Sequence, residues 1–226
     1  MSSGTTGTTI QHHPSEATLV ALAAGSLWKA AALIVEAHLD RCAHCSGTLR
    51  LAEAVGGALL DGLPPMPLAP DALRRVMDRL DEVDSGALKG RNFSSAQQTP
   101  AVPRHERSEV LLKAYNTRLH WLAPGIGHAV LLNQPGSGTL RVLRVKPGTA
   151  LPRHSHRGSE LTLVLEGTFV DETGHYGPGD LAEVDETISH RPVAEGATDC
   201  VCLIATQGRL RFHGLLTRVF GAIARV

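Results

Sequence analysis

The run GTALPRHSHRGSELTLVLEG, from Gly148 to Gly167, carries two histidines one residue apart and a glutamate four residues beyond the second. In a strand entered through Pro152, alternate side chains share a face, so His154 and His156 point to the same side. Glu160 opens the apolar run Leu161–Leu165 and reaches the same pocket from the start of the next strand, while Gly148 and Gly167 serve the turns. With His190 downstream, three imidazoles and a carboxylate form a ligand set that leaves at least one coordination position open. The site carries a formal +1 with a divalent ion. Zinc is the leading choice, although manganese, iron, nickel and copper accept the same ligands.

Outward from this run the same language continues. Short apolar or alternating stretches occur at Ala129–Leu132, Thr139–Val145, Cys200–Ala205 and Leu210–Phe212, with Gly or Pro between most of them. Many short strands at regular spacing predict a β-sandwich or barrel over residues 105–226. Cys200 and Cys202 lie in a run apolar on both faces, as in a strand covered on both sides. A disulfide between such near neighbours is strained, so they read as core cysteines or as an oxidant-sensitive thiol pair. His120, His128, His175 and His213 read as surface or packing residues, and Arg153 and Arg157 as pointing outward.

The first 84 residues read differently. Ser15 caps a short helix to about Ala24, and Ser26 is placed to cap a second through Leu27, Ile34, Val35 and His38. A third helix is predicted over roughly Ser46–Leu60, with Leu49, Ala52 and Val55 on one face. A fourth over Asp71–Leu80 has Leu73, Val76, Met77 and Leu80 as its apolar stripe. Residues 1–11 look like a disordered tail, and 85–104, rich in Ser, Gly, Gln, Asn and Pro, like a linker. The expected organisation is therefore α + β in two domains: a helical bundle over 1–84, a linker over 85–104 and a barrel over 105–226.

The helical part has its own ligand set. At about 100° per residue, His38, Cys42 and Cys45 fall within roughly 60° of one another, so three donors converge from a helix end and the turn after it. A fourth is available from His13 or His12. Two thiolates and two neutral imidazoles form a closed, neutral site of the kind that holds structural zinc, and a domain of this size gains much from such a staple. Cys-x2-Cys also occurs in redox pairs, but next to a βαβ pattern that is missing here. His44, between the cysteines, lies on another side of the helix and reads as solvent-exposed.

Composition limits the partners. The 226 residues carry 22 basic and 22 acidic side chains, a formal net charge of zero, which gives no global electrostatic case for nucleic acid. Residues 1–84 hold six basic against ten acidic side chains, so the helical head favours a basic protein surface over DNA. Ala17–Val35 has the length of a membrane span, yet Lys29 and Gly25-Ser26 interrupt it, and a central lysine costs about 2.5–3.5 kcal/mol on insertion scales. Residues 1–16 contain no Lys or Arg for a signal n-region. The expectation is a cytoplasmic protein without a membrane segment.

Two resemblances attach to these residues. His13, then His38-x3-Cys42-x2-Cys45, is similar to the zinc-binding anti-sigma domain over roughly residues 10–84. Gly148, His154, His156, Glu160 and Gly167 follow the first motif of the cupin superfamily without a gap. Gly179 and His190 match its second motif, in which Asp185, Thr187 and Ala194 depart from the usual Pro, Gly and Asn. In this order the two resemble the ChrR-type zinc anti-sigma factors across almost the whole chain. The resemblance implies a zinc-binding helical bundle followed by a jelly-roll cupin barrel. It also implies zinc on His13, His38, Cys42 and Cys45, and a divalent metal on His154, His156, Glu160 and His190. The implied partner is an extracytoplasmic-function sigma factor held one-to-one, and the cupin would promote release on an oxidative signal such as singlet oxygen. A cupin metalloenzyme (dioxygenase, isomerase or hydrolase) is the alternative.

Overall fold

The computed structural model describes residues 9–84, 110–111, 113–208 and 210–212. Helix α1 (Glu16–Ala23) starts as its sequence predicts: Ser15 has extended backbone and its Oγ accepts from the Thr18 amide at 3.2 Å. It ends on Gly25 at φ 65°, with Ser26 N–H donating to Ala21 O and Gly25 N–H to Leu22 O. This is a Schellman ending, which only a residue tolerant of the left-handed region closes cheaply.

Ser26 therefore belongs to the end of α1. Its Oγ donates to Ala21 O, and α2 (Lys29–Leu39) begins with Trp28 at the cap position and no side-chain cap bond. The first-turn amide of Ala30 instead donates to Ser137 O at 3.0 Å, in the turn after β2 (Ile126–Gln134). The cap comes from the fold, not from the neighbouring sequence. Helix α3 (Ala43–Asp61) starts three residues before the predicted position, because the Cys42 Sγ accepts from the Cys45 amide. Helix α4 (Ala72–Asp84) follows the Pro-rich break.

The remaining strands are β1 (His120–Ala123), β3 (Gly138–Val145), β4 (His154–His156), β5 (Glu160–Glu166), β6 (Thr168–Asp171), β7 (Gly174–Tyr176), β8 (Leu181–Val184), β9 (Val193–Glu195), β10 (Cys200–Thr206) and β11 (Leu210–Phe212). They form a six-stranded sheet in the order β1-β2-β3-β10-β5-β8, a three-stranded sheet β7-β6-β9 and the pair β11-β4, all antiparallel. Helices first and an antiparallel cupin barrel second is the architecture expected from the sequence.

The large sheet is buried on both faces, which explains why β5 and β10 read as apolar runs without alternation. Glu160, Thr162, Cys200, Cys202, Ile204 and Thr206 face a cavity inside the barrel. Leu161, Leu163, Leu165, Val201, Leu203 and Ala205 face outward into a core shared with Ala30–Val35 of α2, Leu19, Cys42 and Cys45. Every residue from Ala30 to Leu39 is buried, the polar Glu36 and His38 among them. Gly138 sits where the β2–β3 turn meets this helix. Its φ is 70°, and a Cβ there would lie 2.4 Å from the Trp28 ring.

Residues 1–8 of the expected tail, the expected linker over 85–104 and His213 lie outside the described residues. Gln11, by contrast, is tied down: its amide and that of His12 donate to Asp180 Oδ1 at 2.7 and 3.0 Å. Among the described residues, no helix is long and apolar enough to cross a membrane.

Two candidate metal centres

At the N-terminal cluster, His38 comes from the last turn of α2, Cys42 from the cap of α3 and Cys45 from its first turn. His13 approaches from the segment before α1. His13 Nδ1 lies 3.4 Å from Cys42 Sγ and 3.3 Å from Cys45 Sγ, and His38 Nε2 lies 3.4 Å from Cys45 Sγ. A tetrahedral zinc with bonds of about 2.3 Å to sulfur and 2.0–2.1 Å to nitrogen separates such atoms by roughly 3.5 Å. The donor atoms are thus spaced for one ion. Between the two candidates left open for the fourth ligand, His13 is the one in the cluster. His12 instead tilts its ring against Tyr176, with centroids 4.4 Å apart. His44 is exposed, as expected.

The electrostatics of this cluster call for a cation. Burial pushes the Cys45 thiol up to about 12, with Cys42 adding to the effect, so the thiolate is disfavoured until a positive charge arrives. Burial also pulls His38 below its ordinary value, which keeps the imidazole neutral and its Nε2 lone pair available. The other ring nitrogen is committed: His38 Nδ1 donates to Gly179 O at 2.8 Å. That outer hydrogen bond fixes tautomer and ring plane, as such partners do at metal sites.

The C-terminal cluster repeats the device. His154 and His190 exchange two backbone hydrogen bonds, His154 N–H to His190 O at 3.1 Å and His190 N–H to His154 O at 3.0 Å, which sets their side chains abreast. The Nε2 atoms of His154 and His156 each lie 3.2 Å from His190 Nε2. Zinc–nitrogen bonds of about 2.0–2.1 Å at a tetrahedral angle require roughly 3.3–3.4 Å. His154 Nδ1 donates to Pro152 O and His190 Nδ1 to Asp171 Oδ2, both at 2.8 Å, so each Nε2 lone pair faces the centre. Glu160 Oε1 is 3.9 Å from His190 Nε2.

Burial pushes Glu160 up to about 7 and pulls His156 down to about 3, the latter helped by His154 and His190. Burial also lowers His190, but the hydrogen bond to Asp171 and the charges of Glu160 and Asp171 outweigh it and raise its pKa. A buried carboxylate facing three imidazoles, with the Arg141 charge offsetting only part of its burial, is an environment a divalent ion satisfies. The departures before His190 are accommodated. Asp185 Oδ1 accepts from the amide and hydroxyl of Thr187, and Ile188 N–H donates to Asp185 O, so an Asx turn replaces the usual Pro and Gly.

His154, Glu160 and His190 line one wall of a cavity of about 100 Å³. Three residues of its environment went unrecognised in the sequence. Asp171, which orients His190, lies between the two motifs. Arg141 and His128 face the cavity from β3 and β2. Only the period-2 alternation of Leu140 to Val145, with Leu140 and Val142 on the helix side, signals that Arg141 points inward. Arg153 points outward, as expected, and pairs with Glu172. Cys200 and Cys202 are free thiols on the cavity wall with their sulfurs 3.5 Å apart.

Comparison with known proteins places this arrangement. The chain is 37% identical over 218 residues to anti-sigma-E factor ChrR of Cereibacter sphaeroides, covering 96% of this chain and 100% of that protein. The chain belongs to the ChrR family of anti-sigma factors. Residues 107–209 match the family described as the ChrR cupin-like domain. A crystal structure of Rhodobacter sphaeroides SigE in complex with the anti-sigma ChrR superposes with a TM-score of 0.70 at 36% identity, covering 88% of this chain and all of that one. Both clusters of this ChrR-family chain lie within the span it shares with its relative.

Proposed function

We propose that this protein holds an extracytoplasmic-function sigma factor in a one-to-one complex in the cytoplasm and releases it on an oxidative signal. The observation that carries the binding half is an uncovered apolar surface. On α4, Leu73, Val76, Met77 and Leu80 are 51–75% exposed, and on α3 so are Val55, Leu51, Leu60 and Leu59, at 54–70%. A monomeric soluble protein rarely leaves such a stripe open without a partner. That the related ChrR forms a complex with SigE supports a sigma factor as the occupant.

In this reading the domains divide as 1–84 and 105–226. Zinc on His13, His38, Cys42 and Cys45 fixes the base from which α3 and α4 project. A divalent ion, zinc first among the candidates, sits on His154, His156, Glu160 and His190, where it supplies positive charge and an exchangeable position. The thiols of Cys200 and Cys202 share the cavity with that centre, so oxidation at either would alter the same wall. Residues of the chain carry the change outward: β8 lines the cavity through Ala182 and Val184, while Glu183 between them binds Ser15 and Thr18 of the head.

Co-expression with the extracytoplasmic-function sigma factors of the source organism tests the binding half. A stable one-to-one complex, lost in Cys42→Ala, is expected; failure of every such factor to bind refutes it. His154→Ala and Glu160→Ala test the release half: the variants should hold sigma normally but not let go under singlet oxygen. The enzyme reading has one observation in its favour, a cavity lined by candidate metal ligands that also holds His128 and Arg141. Turnover of a small molecule by the purified protein would support it.

A further inference from the structure

Arg141 is the charged side chain of the barrel interior that neither metal centre employs. Strand β3 turns Arg141, Leu143 and Val145 to the cavity, opposite Ile204, Cys202 and Cys200 of β10. A guanidinium carries five N–H donors and keeps its charge at any physiological pH. Among the described residues, Arg141 makes one hydrogen bond, Nη1 to Thr206 Oγ1 at 3.4 Å, and is attracted by the Glu160 carboxylate without a direct ion pair; its buried Nε–H has no acceptor. Leaving that Nε–H unmet beside a largely apolar wall is costly unless something else meets it.

The rest of the wall indicates what that would be. Leu122, Leu143, Leu151 and Ile204 offer hydrocarbon and few further donors. The volume, about 100 Å³, is somewhat below the roughly 150 Å³ of an apolar cavity that takes up benzene. Glu160 and Asp171 on the same wall disfavour a dianion or a phosphate. We propose that this cavity binds a small monocarboxylate with a short aliphatic body. Its two oxygens accept from the Arg141 fork, and its carbons pack on Leu143, Leu151 and Ile204. The assignment does not depend on a sigma factor partner.

Butyrate is a suitable probe, with butyramide and butanol as matched neutral controls, titrated into the full chain with its metal content measured in the same samples. Butyrate should bind roughly tenfold to a hundredfold more tightly than either control, and Arg141→Gln should abolish that preference. Arg141→Lys, which keeps the charge but not the fork, should retain part of it. The proposal is overturned if butyrate does not bind, if the amide binds equally well, or if butyrate binding survives Arg141→Gln. Survival that ends on chelation would assign the anion to the metal alone, and counts against the proposal too. If Arg141→Gln does not fold, Arg141→Lys decides: weaker butyrate binding with unchanged butanol binding supports the proposal, and unchanged butyrate binding overturns it.

Discussion

His38 donates from Nδ1 to the carbonyl oxygen of Gly179 across 2.8 Å, so a candidate ligand of the thiolate cluster is oriented by a turn of the barrel. The same turn presents Asp180 to the amides of Gln11 and His12, and the Leu181 amide donates to His12 O. Strand β8 leaves this turn with one face on the head and the other on the cavity. The two candidate metal centres are therefore joined through one short strand.

This clasp should be measurable as stability. Asp180 is buried and accepts three backbone amides, from Gln11, His12 and Gly177. Asp180→Ala leaves all three unmet and should lower unfolding stability by about 3 kcal/mol, read by urea denaturation. Glu183→Ala, at an exposed position, should cost only about 0.5–1.5 kcal/mol. Chelators should also strip metal from the thiolate site faster in Asp180→Ala than in the parent.

Asp171→Asn keeps the shape but removes the carboxylate that holds the His190 proton. Loss of such an outer partner weakens metal binding by roughly tenfold to a hundredfold. Competition with a chromophoric chelator should show that loss at one site per chain, with the thiolate site unchanged. An equal loss at both sites would mean that Asp171 acts on the whole fold instead.

The two clusters were legible in the sequence because metal coordination would demand particular atoms at particular spacings: His38, Cys42 and Cys45 across a helix junction, His154 and His156 on one strand face. The union of helices and barrel was not legible in the same way. Ala30–Leu39 announces a buried helix, but its partners, Leu161, Leu163 and Leu203, lie more than a hundred residues away and could equally have faced solvent or another chain. Ser26 has the chemistry of a cap and still loses the position, because Ser137 O supplies what the first turn of α2 needs. Asp171 was hidden because a strand-end aspartate followed by Thr173 and Gly174 reads as a turn residue. It is that as well, accepting from both of their amides.

Acidity should separate metal-free from metal-loaded protein. Burial raises Glu160 from 4.5 to about 7 without a bound metal. A carboxyl raised in the folded state contributes stability that is present below its unfolded pKa and is lost as pH rises through about 7. His156, lowered to about 3, acts in the opposite sense below its unfolded value of 6.5. The Glu160 contribution is therefore read as the difference between the parent and Glu160→Gln, which should favour about pH 5 over about pH 8 in the metal-free barrel. The loaded barrel should show the opposite order, because the ion must displace the Glu160 proton as pH falls. In Glu160→Gln the first dependence should flatten, which thermal melts across this range will show.

Under the proposed function, the exposed stripe of α3 and α4 holds a sigma factor. Calorimetric titration of the full chain with its cognate extracytoplasmic-function sigma factor, beside a Leu73→Glu, Met77→Glu double variant, tests it most directly. Both side chains are at least half exposed, so the variant should fold and keep both metals. The parent should bind one-to-one, and the variant should lose roughly a hundredfold in affinity. Equal affinity of a folded variant, or no binding by the parent, would contradict it.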